Sequence, residues 1–160
     1  MSLTLRKITS GDDQMIAFII RKTLTEFGAN KPGTVFFDES TDRLSTLFVV
    51  PKSIYYIALW NEVVVGGAGI YPTDGLPEGT CELVKMYLLP EYRGKGIGKA
   101  LIEQCITFAK VNGFSQVYLE TMPELKRAVT IYNTLGFIQL PCSLGNTGHF
   151  GCDIWMVKSI

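Results

Sequence analysis

The strongest constraint in this chain is the run Arg93-Gly94-Lys95-Gly96-Ile97-Gly98. It follows an apolar stretch ending at Leu89-Pro90 and opens directly into a helical pattern. Alternating glycines let the backbone turn tightly and let a ligand approach the amides closely. The first amides of a helix lack intrahelical partners and carry the positive end of its dipole. Strand, glycine loop and helix start together form a seat for an anion, with Arg93 and Lys95 adding formal charge.

The rest of the chain is an ordinary packed protein. Its 160 residues suit one domain with one sizeable core, and 47% are hydrophobic against 19% charged. Basic and acidic residues number 15 each, which argues against nucleic-acid binding through bulk positive charge. No apolar run is long enough to span a bilayer. The start Met1-Ser2-Leu3-Thr4 carries no basic-then-apolar signal pattern. Cys81, Cys105, Cys142 and Cys152 form no CxxC pair and read as reduced core or near-core residues. The expectation is therefore a cytoplasmic protein with no nucleic-acid or membrane partner.

Periodicity places the elements. Leu3 to Ile8 alternates as a half-buried strand. Ser10 and Asp13 read as a capping signal. Ile16, Ile19, Ile20, Leu24 and Phe27 then recur at helical spacing, and Gly28 stops the run. A loop over 29–37 carries Phe36 and Phe37, and Asp38 to Phe48 reads as a weaker helix ended before Pro51. Ser53 to Trp60 and Val63 to Tyr71 predict a hairpin across Asn61-Glu62, a poorer turn than Asn-Gly. Gly66-Gly67 predicts a bulge or close backbone approach. A strand from Thr80 to Leu89 leads to the glycine loop, and Ile97 to Ala109 forms an apolar helical stripe. Gln116 to Thr121, Leu125 to Leu135, Phe137 to Leu140 and Cys152 to Val157 complete a β-α-α-β-β-β-α-β-α-β-β order, a mixed α/β domain on one sheet.

Two phosphate-binding patterns fail on the glycine loop. A P-loop needs Gly-Lys followed by Ser or Thr, and here Gly98-Lys99 is followed by Ala100. A G-x-G-x-x-G fingerprint starting at Gly94 meets Lys99 at its third glycine, and one starting at Gly96 meets Leu101. A third pattern, (Arg or Gln)-x-x-Gly-x-(Gly or Ala), is met by Arg93, Gly96 and Gly98. With the whole run from Glu82 to Gly98 and the later Tyr132-Asn133-Thr134-Leu135-Gly136-Phe137, the chain resembles the GCN5-related N-acetyltransferases, the GNAT family. The element order agrees throughout, so the resemblance covers residues 1–160 as one domain. It implies a single mixed, mostly antiparallel sheet flanked by about four helices.

The resemblance further implies acetyl-coenzyme A as co-substrate, with no metal. Backbone amides of Arg93, Gly94, Lys95, Gly96, Ile97, Gly98 and Lys99 would take the pyrophosphate. Pantetheine would run beside the strand at Met86 and Leu88, with the Leu88 amide polarising the acetyl carbonyl. Where the family often has an asparagine contacting pantetheine, this chain has Leu125. Tyr132 would be the acid that protonates the leaving sulfur; its other reading is a packed core aromatic. A strand period of two puts Glu82, Val84, Met86 and Leu88 on one face, and a carboxylate on an apolar face is costly unless paired or functional. Burial would raise its pKa toward a useful base, the role the resemblance gives it, against the alternative of a wet strand start.

His149, the one histidine, lies in the loop before the last strand, and Phe36, Phe37 and Arg43 fall where the family builds acceptor specificity. These four are candidate substrate contacts; Lys126 and Arg127 read as a solvated helix face. The base is left open between Glu82, His149 and water. The expected activity is acetyl transfer to a primary amine of a small molecule. Acetylation of a protein lysine or N-terminus, and a non-catalytic coenzyme A-binding module, stay as alternatives. The resemblance also allows a homodimer paired through sheet edges or late strands.

Overall fold

The computed structural model describes residues 2–160, so Met1 of the expected domain lies outside the described residues. Seven strands form one sheet in the order β1-β2-β3-β4-β5-β7-β6. They are β1 (Leu3–Lys7), β2 (Ile54–Trp60), β3 (Val63–Tyr71), β4 (Thr80–Leu88), β5 (Gln116–Thr121), β6 (Ile138–Leu140) and β7 (Ile154–Ser159). The β4–β5 pair is parallel and every other neighbouring pair is antiparallel. Four helices flank it: α1 (Asp13–Glu26), α2 (Leu44–Leu47), α3 (Ile97–Val111) and α4 (Lys126–Thr134). Among the described residues no helix is long and apolar enough to cross a membrane.

The two faces of the sheet carry two cores. On one, Leu101, Ile102 and Cys105 of α3 pack with Tyr132, Ala68, Ile70, Leu83 and Met156. On the other, Ile16, Ile19, Ile20 and Leu24 of α1 pack with Phe48, Tyr55, Ile57 and Tyr87. Each helix buries one apolar stripe, as its 3.6-residue period requires. Cys81, Cys105 and Cys152 are buried, and Cys142 is exposed with a free thiol.

Local chemistry departs from expectation in three places. The cap ahead of α1 lies one residue earlier than expected: the Thr9 amide and hydroxyl donate to Asp12 at 2.8 and 3.1 Å. Asp13 instead accepts from the Ser45 amide and hydroxyl, tying α1 to α2. The helix expected over Asp38 to Phe48 breaks into a 3-10 turn, Glu39–Arg43, and the short α2. Ser and Thr side chains compete for backbone groups there, as Thr41 does in donating to the Val35 carbonyl at 2.9 Å. The β2–β3 hairpin closes on Asn61 and Glu62 at φ +49° and +69°, the left-handed pair that a tight turn of this twist needs.

The third departure reshapes the site. Lys85 in mid-β4 has φ +54°, and the β3–β4 register shifts there. The extra residue slips the alternation. Glu82 and Val84 stay on the α1 side, but Met86 and Leu88 turn to the α3 side and Tyr87 takes their place. The single face expected for Glu82, Val84, Met86 and Leu88 is therefore broken. Tyr55 holds the bulge: its hydroxyl donates to the Lys85 carbonyl at 2.7 Å from a fully buried ring. To get there the ring crosses β3 over Gly67, where an added Cβ would sit 2.5 Å from Tyr55 Cε1.

From just ahead of the bulge onward, β4 and β5 are no longer paired. Their pairing covers only Thr80–Glu82 against Gln116–Tyr118, while β4 continues to Leu88. Gly67→Ala should force the Tyr55 ring off the bulge and destabilise the fold by about 1–3 kcal/mol. Thermal unfolding would check this as a lowered midpoint.

Candidate active site

The gap between β4 and β5 opens into three cavities whose walls overlap. The first, about 380 Å³, lies against the glycine loop and is lined by Met86, Tyr87, Leu88, Arg93, Gly94, Gly96, Gly98 and Lys99. Thr23 of α1 and Phe27 just after it, and Leu125, Arg127, Ala128 and Ile131 from the α4 region, also line it. Gly96 caps α3 at φ +80°, a left-handed geometry that leaves the next amides aimed outward. This is the arrangement that an anion seat requires.

The loop residues play different parts. Arg93 was expected to add charge to the seat, but its guanidinium is already bound. It meets Glu26 at 2.6 Å, donates twice to the Leu88 carbonyl at 2.9 and 3.2 Å, and lies 5.0 Å over the Phe27 ring. It fastens the loop to α1 and β4, with its charge partly offset by Glu26. Ile97 is buried in the core, so only its backbone amide can serve a ligand. The Lys95 ammonium stands 5.7 Å over Trp60, and Lys99 is exposed near Glu103. Arg127, expected on a solvated face, is exposed at the cavity's rim.

A small second cavity of about 50 Å³ brings Glu82, Tyr132 and His149 to one space, walled also by Tyr87, Glu120 and Cys152. Burial pushes the Glu82 carboxyl up to about 7, and the Thr73 hydroxyl, donating at 2.6 Å, pulls against that shift. Burial also raises the Tyr132 hydroxyl, which stays protonated through neutral pH. The Tyr132 ring meets Phe137 edge-to-face at 5.8 Å. Spacing from Gly136-Phe137 thus corresponds to a real packing contact.

The third cavity, about 310 Å³, is polar and adjoins Glu82, Lys85 and His149, with Asp38, Ser40, Thr73, Asp74, Asn146 and Thr147 around it. His149 Nε2 lies 2.7 Å from Asp38, and Lys85 Nζ reaches the same oxygen at 3.3 Å. Burial would pull His149 down, but the hydrogen bond and charge of Asp38 outweigh it and leave the imidazole pKa raised. Burial lowers Lys85, with Asp38 opposing. Glu120 accepts from the Tyr118 and Thr147 hydroxyls, each at 2.6 Å. Glu82, Glu120 and His149 each bring a ligand atom within 4.8 Å of the others, a spacing that could admit a cation. Both Glu120 oxygens, however, already hold hydroxyls.

Phe36, Phe37 and Arg43 are not brought to this space. Phe37 is 59% exposed, and Arg43 is exposed on the 3-10 turn. Phe36 lines a groove on the outer side of α1 with Phe18 and Asp42. Phe36 and Phe37 sit on a 3-10 turn, Val35–Phe37, that buries Val35 and packs Phe36 against the α1-side core, and Arg43 ends the next 3-10 turn. In their place stand Asp38, Thr73, Lys85, Glu120 and Thr147, which sequence reasoning missed. One signal was available: a second charged residue, Lys85, inside a strand whose other members besides Thr80 and Glu82 are apolar. Asp38→Asn should lower the pKa of His149, and imidazole NMR can follow it without overlap because the chain has one histidine.

Comparison with known proteins places this geometry in a family. The model of the Acetyltransferase (GNAT) family matches residues 18–137. The uncharacterized N-acetyltransferase YjgM of Escherichia coli (strain K12) is 38% identical over 99% of this chain and 96% of its own length. The PaiA N-acetyltransferase of Thermoplasma acidophilum, solved in complex with coenzyme A, superposes with a TM-score of 0.78 at 20% identity over the full length of both chains. A phosphinothricin acetyltransferase from Sinorhizobium meliloti, in complex with AcCoA, superposes with a TM-score of 0.77 at 24% identity, covering all of this chain and 89% of that one. With the family model spanning most of the sequence and a relative matching nearly all of it, the chain belongs to the GNAT family of acetyltransferases.

Proposed function

We propose that the protein transfers the acetyl group of acetyl-coenzyme A to a primary amine of a small molecule, by direct attack in a ternary complex. One observation carries the reading: a cavity at the glycine loop and a polar cavity meet across the space that Glu82 and Tyr132 share. Solved relatives of this fold hold coenzyme A or AcCoA, and the loop, the open edge of β4 and the first turn of α3 suit the same group here. The Arg93 amide, expected among the donors, is taken by the Pro90 carbonyl at 3.2 Å, so the amides from Gly94 to Lys99 would hold the pyrophosphate, and Met86 and Leu88 would flank the pantetheine arm.

Bound acetyl-coenzyme A supplies an activated thioester carbonyl. The Leu88 amide, on the edge of β4 that β5 leaves unpaired, would polarise that carbonyl. Glu82, with its carboxyl at about 7, is half-ionised near neutrality and would accept the proton of the incoming ammonium, directly or through water. The Tyr132 hydroxyl would donate its proton to the departing sulfur. His149 is held by Asp38 and faces the polar cavity, so it would contact or orient the acceptor rather than take its proton. The size of that cavity, about 310 Å³, suits a small acceptor. The Asn146 amide donates to the Asp74 carbonyl at 2.8 Å, which ties the β6–β7 loop to one wall of the cavity.

Thiol release from acetyl-coenzyme A, measured against small amines and lysine peptides, tests the reading. Turnover on peptides alone would replace the small-molecule acceptor, and binding without turnover on any amine would leave only a coenzyme A-binding module. With an acceptor in hand, kcat/KM should rise with pH through about 7 as Glu82 ionises, and Glu82→Gln should abolish that limb. Tyr132→Phe should keep coenzyme A affinity while lowering kcat at least about tenfold. An unchanged kcat would remove Tyr132 from the mechanism.

A further inference from the structure

The proposed chemistry leaves one buried cation without a task. Lys85 lines the polar cavity together with Asp38, Glu82 and His149. Its side chain is 5% exposed, and its Nζ has one hydrogen-bond partner among the described residues, Asp38 Oδ2 at 3.3 Å. That oxygen is shared, and His149 Nε2 lies closer to it, at 2.7 Å. Asp38 lines the polar cavity and not the small one, so this contact puts the ammonium on the polar side. An ammonium has three donors. Two of them are left unused where an unmade hydrogen bond is costly.

The free carboxylate of this space stands apart from that cation. Glu82, three residues earlier on β4, gathers with Glu120 and His149 within 4.8 Å and has no cation at salt-bridge distance among the described residues. The cavity therefore presents a carboxylate lacking a cation and an ammonium with spare donors, facing about 310 Å³. An amine acceptor arrives as a cation, and its place is at Glu82. What suits Lys85 is an anionic oxygen acceptor, and the oxygens of one carboxylate can take both spare donors. A phosphate would add a second negative charge beside Asp38, Asp74 and Glu82, and like charges at such range repel. An amine bearing a carboxylate is a neutral zwitterion and leaves the charge balance of the cavity unchanged. We propose that the acceptor is an amino acid, with its amine at Glu82 and its carboxylate on Lys85, which makes Lys85 a specificity-determining residue. This rests on the small-molecule acetyl transfer proposed above.

The test measures kcat and KM of the full chain on matched acceptors, each an amino acid and the same amine without its carboxylate. Leucine with isoamylamine, phenylalanine with phenethylamine, histidine with histamine, and β-alanine with ethylamine form the set. In the pairs it accepts, the parent should favour the amino acid about tenfold or more in kcat/KM, chiefly through KM, the size of a hydrogen bond to a charged group. Lys85→Met keeps the length of the side chain and removes the charge. It should lower that preference about tenfold, a comparison in which the basicity of each amine cancels. Lys85→Arg, which keeps the charge, should lower it less. If Lys85→Met does not fold, the preference of the parent decides. Equal or better turnover of the decarboxylated amine in every accepted pair overturns the proposal, and so does a preference that Lys85→Met leaves intact. Failure of the parent to acetylate any small amine would instead overturn the small-molecule reading, and this inference with it.

Discussion

The site depends on one hydrogen bond across the sheet, from the Tyr55 hydroxyl to the Lys85 carbonyl. A lysine at φ +54° is strained backbone, and it persists only where its surroundings hold it. Tyr55 does so from β2, reaching over Gly67 of β3 to grip β4. The bulge turns β4 away from β5 after three paired residues and so opens the sheet where a ligand chain can lie along a strand edge. It also sets the chemistry on either side. Met86 and Leu88 go to the glycine-loop cavity, while Glu82 and Lys85 adjoin the polar one.

Lys85 is the charge this bulge buries, and the polar cavity is organised around it. Its side chain is 5% exposed, a position an ammonium can occupy only with a partner. Asp38 is that partner, and the same carboxylate oxygen holds His149. Glu120, nearby, is held by two hydroxyls. Glu82 is left with one neutral hydrogen bond, from Thr73, and no cation within salt-bridge distance among the described residues. That inequality explains why it is the carboxylate poised near neutrality while Asp38 is held below the usual carboxylate range. The neighbouring charges pair with one another, and Glu82 is the group left able to exchange a proton.

At the other end, the Arg93 side chain fastens the glycine loop. Its guanidinium joins Glu26 of α1 to the Leu88 carbonyl of β4, so the glycine loop is pinned to both walls of the cavity it closes. Such pinning organises the amides in advance, and binding then costs less ordering of the loop. The other positive charges beside that cavity are those of Lys99 and Arg127, together with the start of α3.

Much was legible in the chain itself. The strand–glycine–helix sequence through Arg93 and Gly98, the Tyr132 to Phe137 spacing and the periodicity of α1 and α3 are local patterns, governed by backbone sterics and apolar repeats. They determined the family, and they singled out the glycine loop as an anion seat and Glu82 and Tyr132 as the residues to watch. Only the tertiary structure decided which way β4 faces after Glu82, because Tyr55 grips its bulge from two strands away. It alone kept Phe36, Phe37 and Arg43 away from Glu82 and brought Asp38, Thr73, Glu120 and Thr147 beside it and His149. Those residues lie far apart in sequence, and their meeting depends on long-range packing and on buried charges finding partners, which no local pattern records.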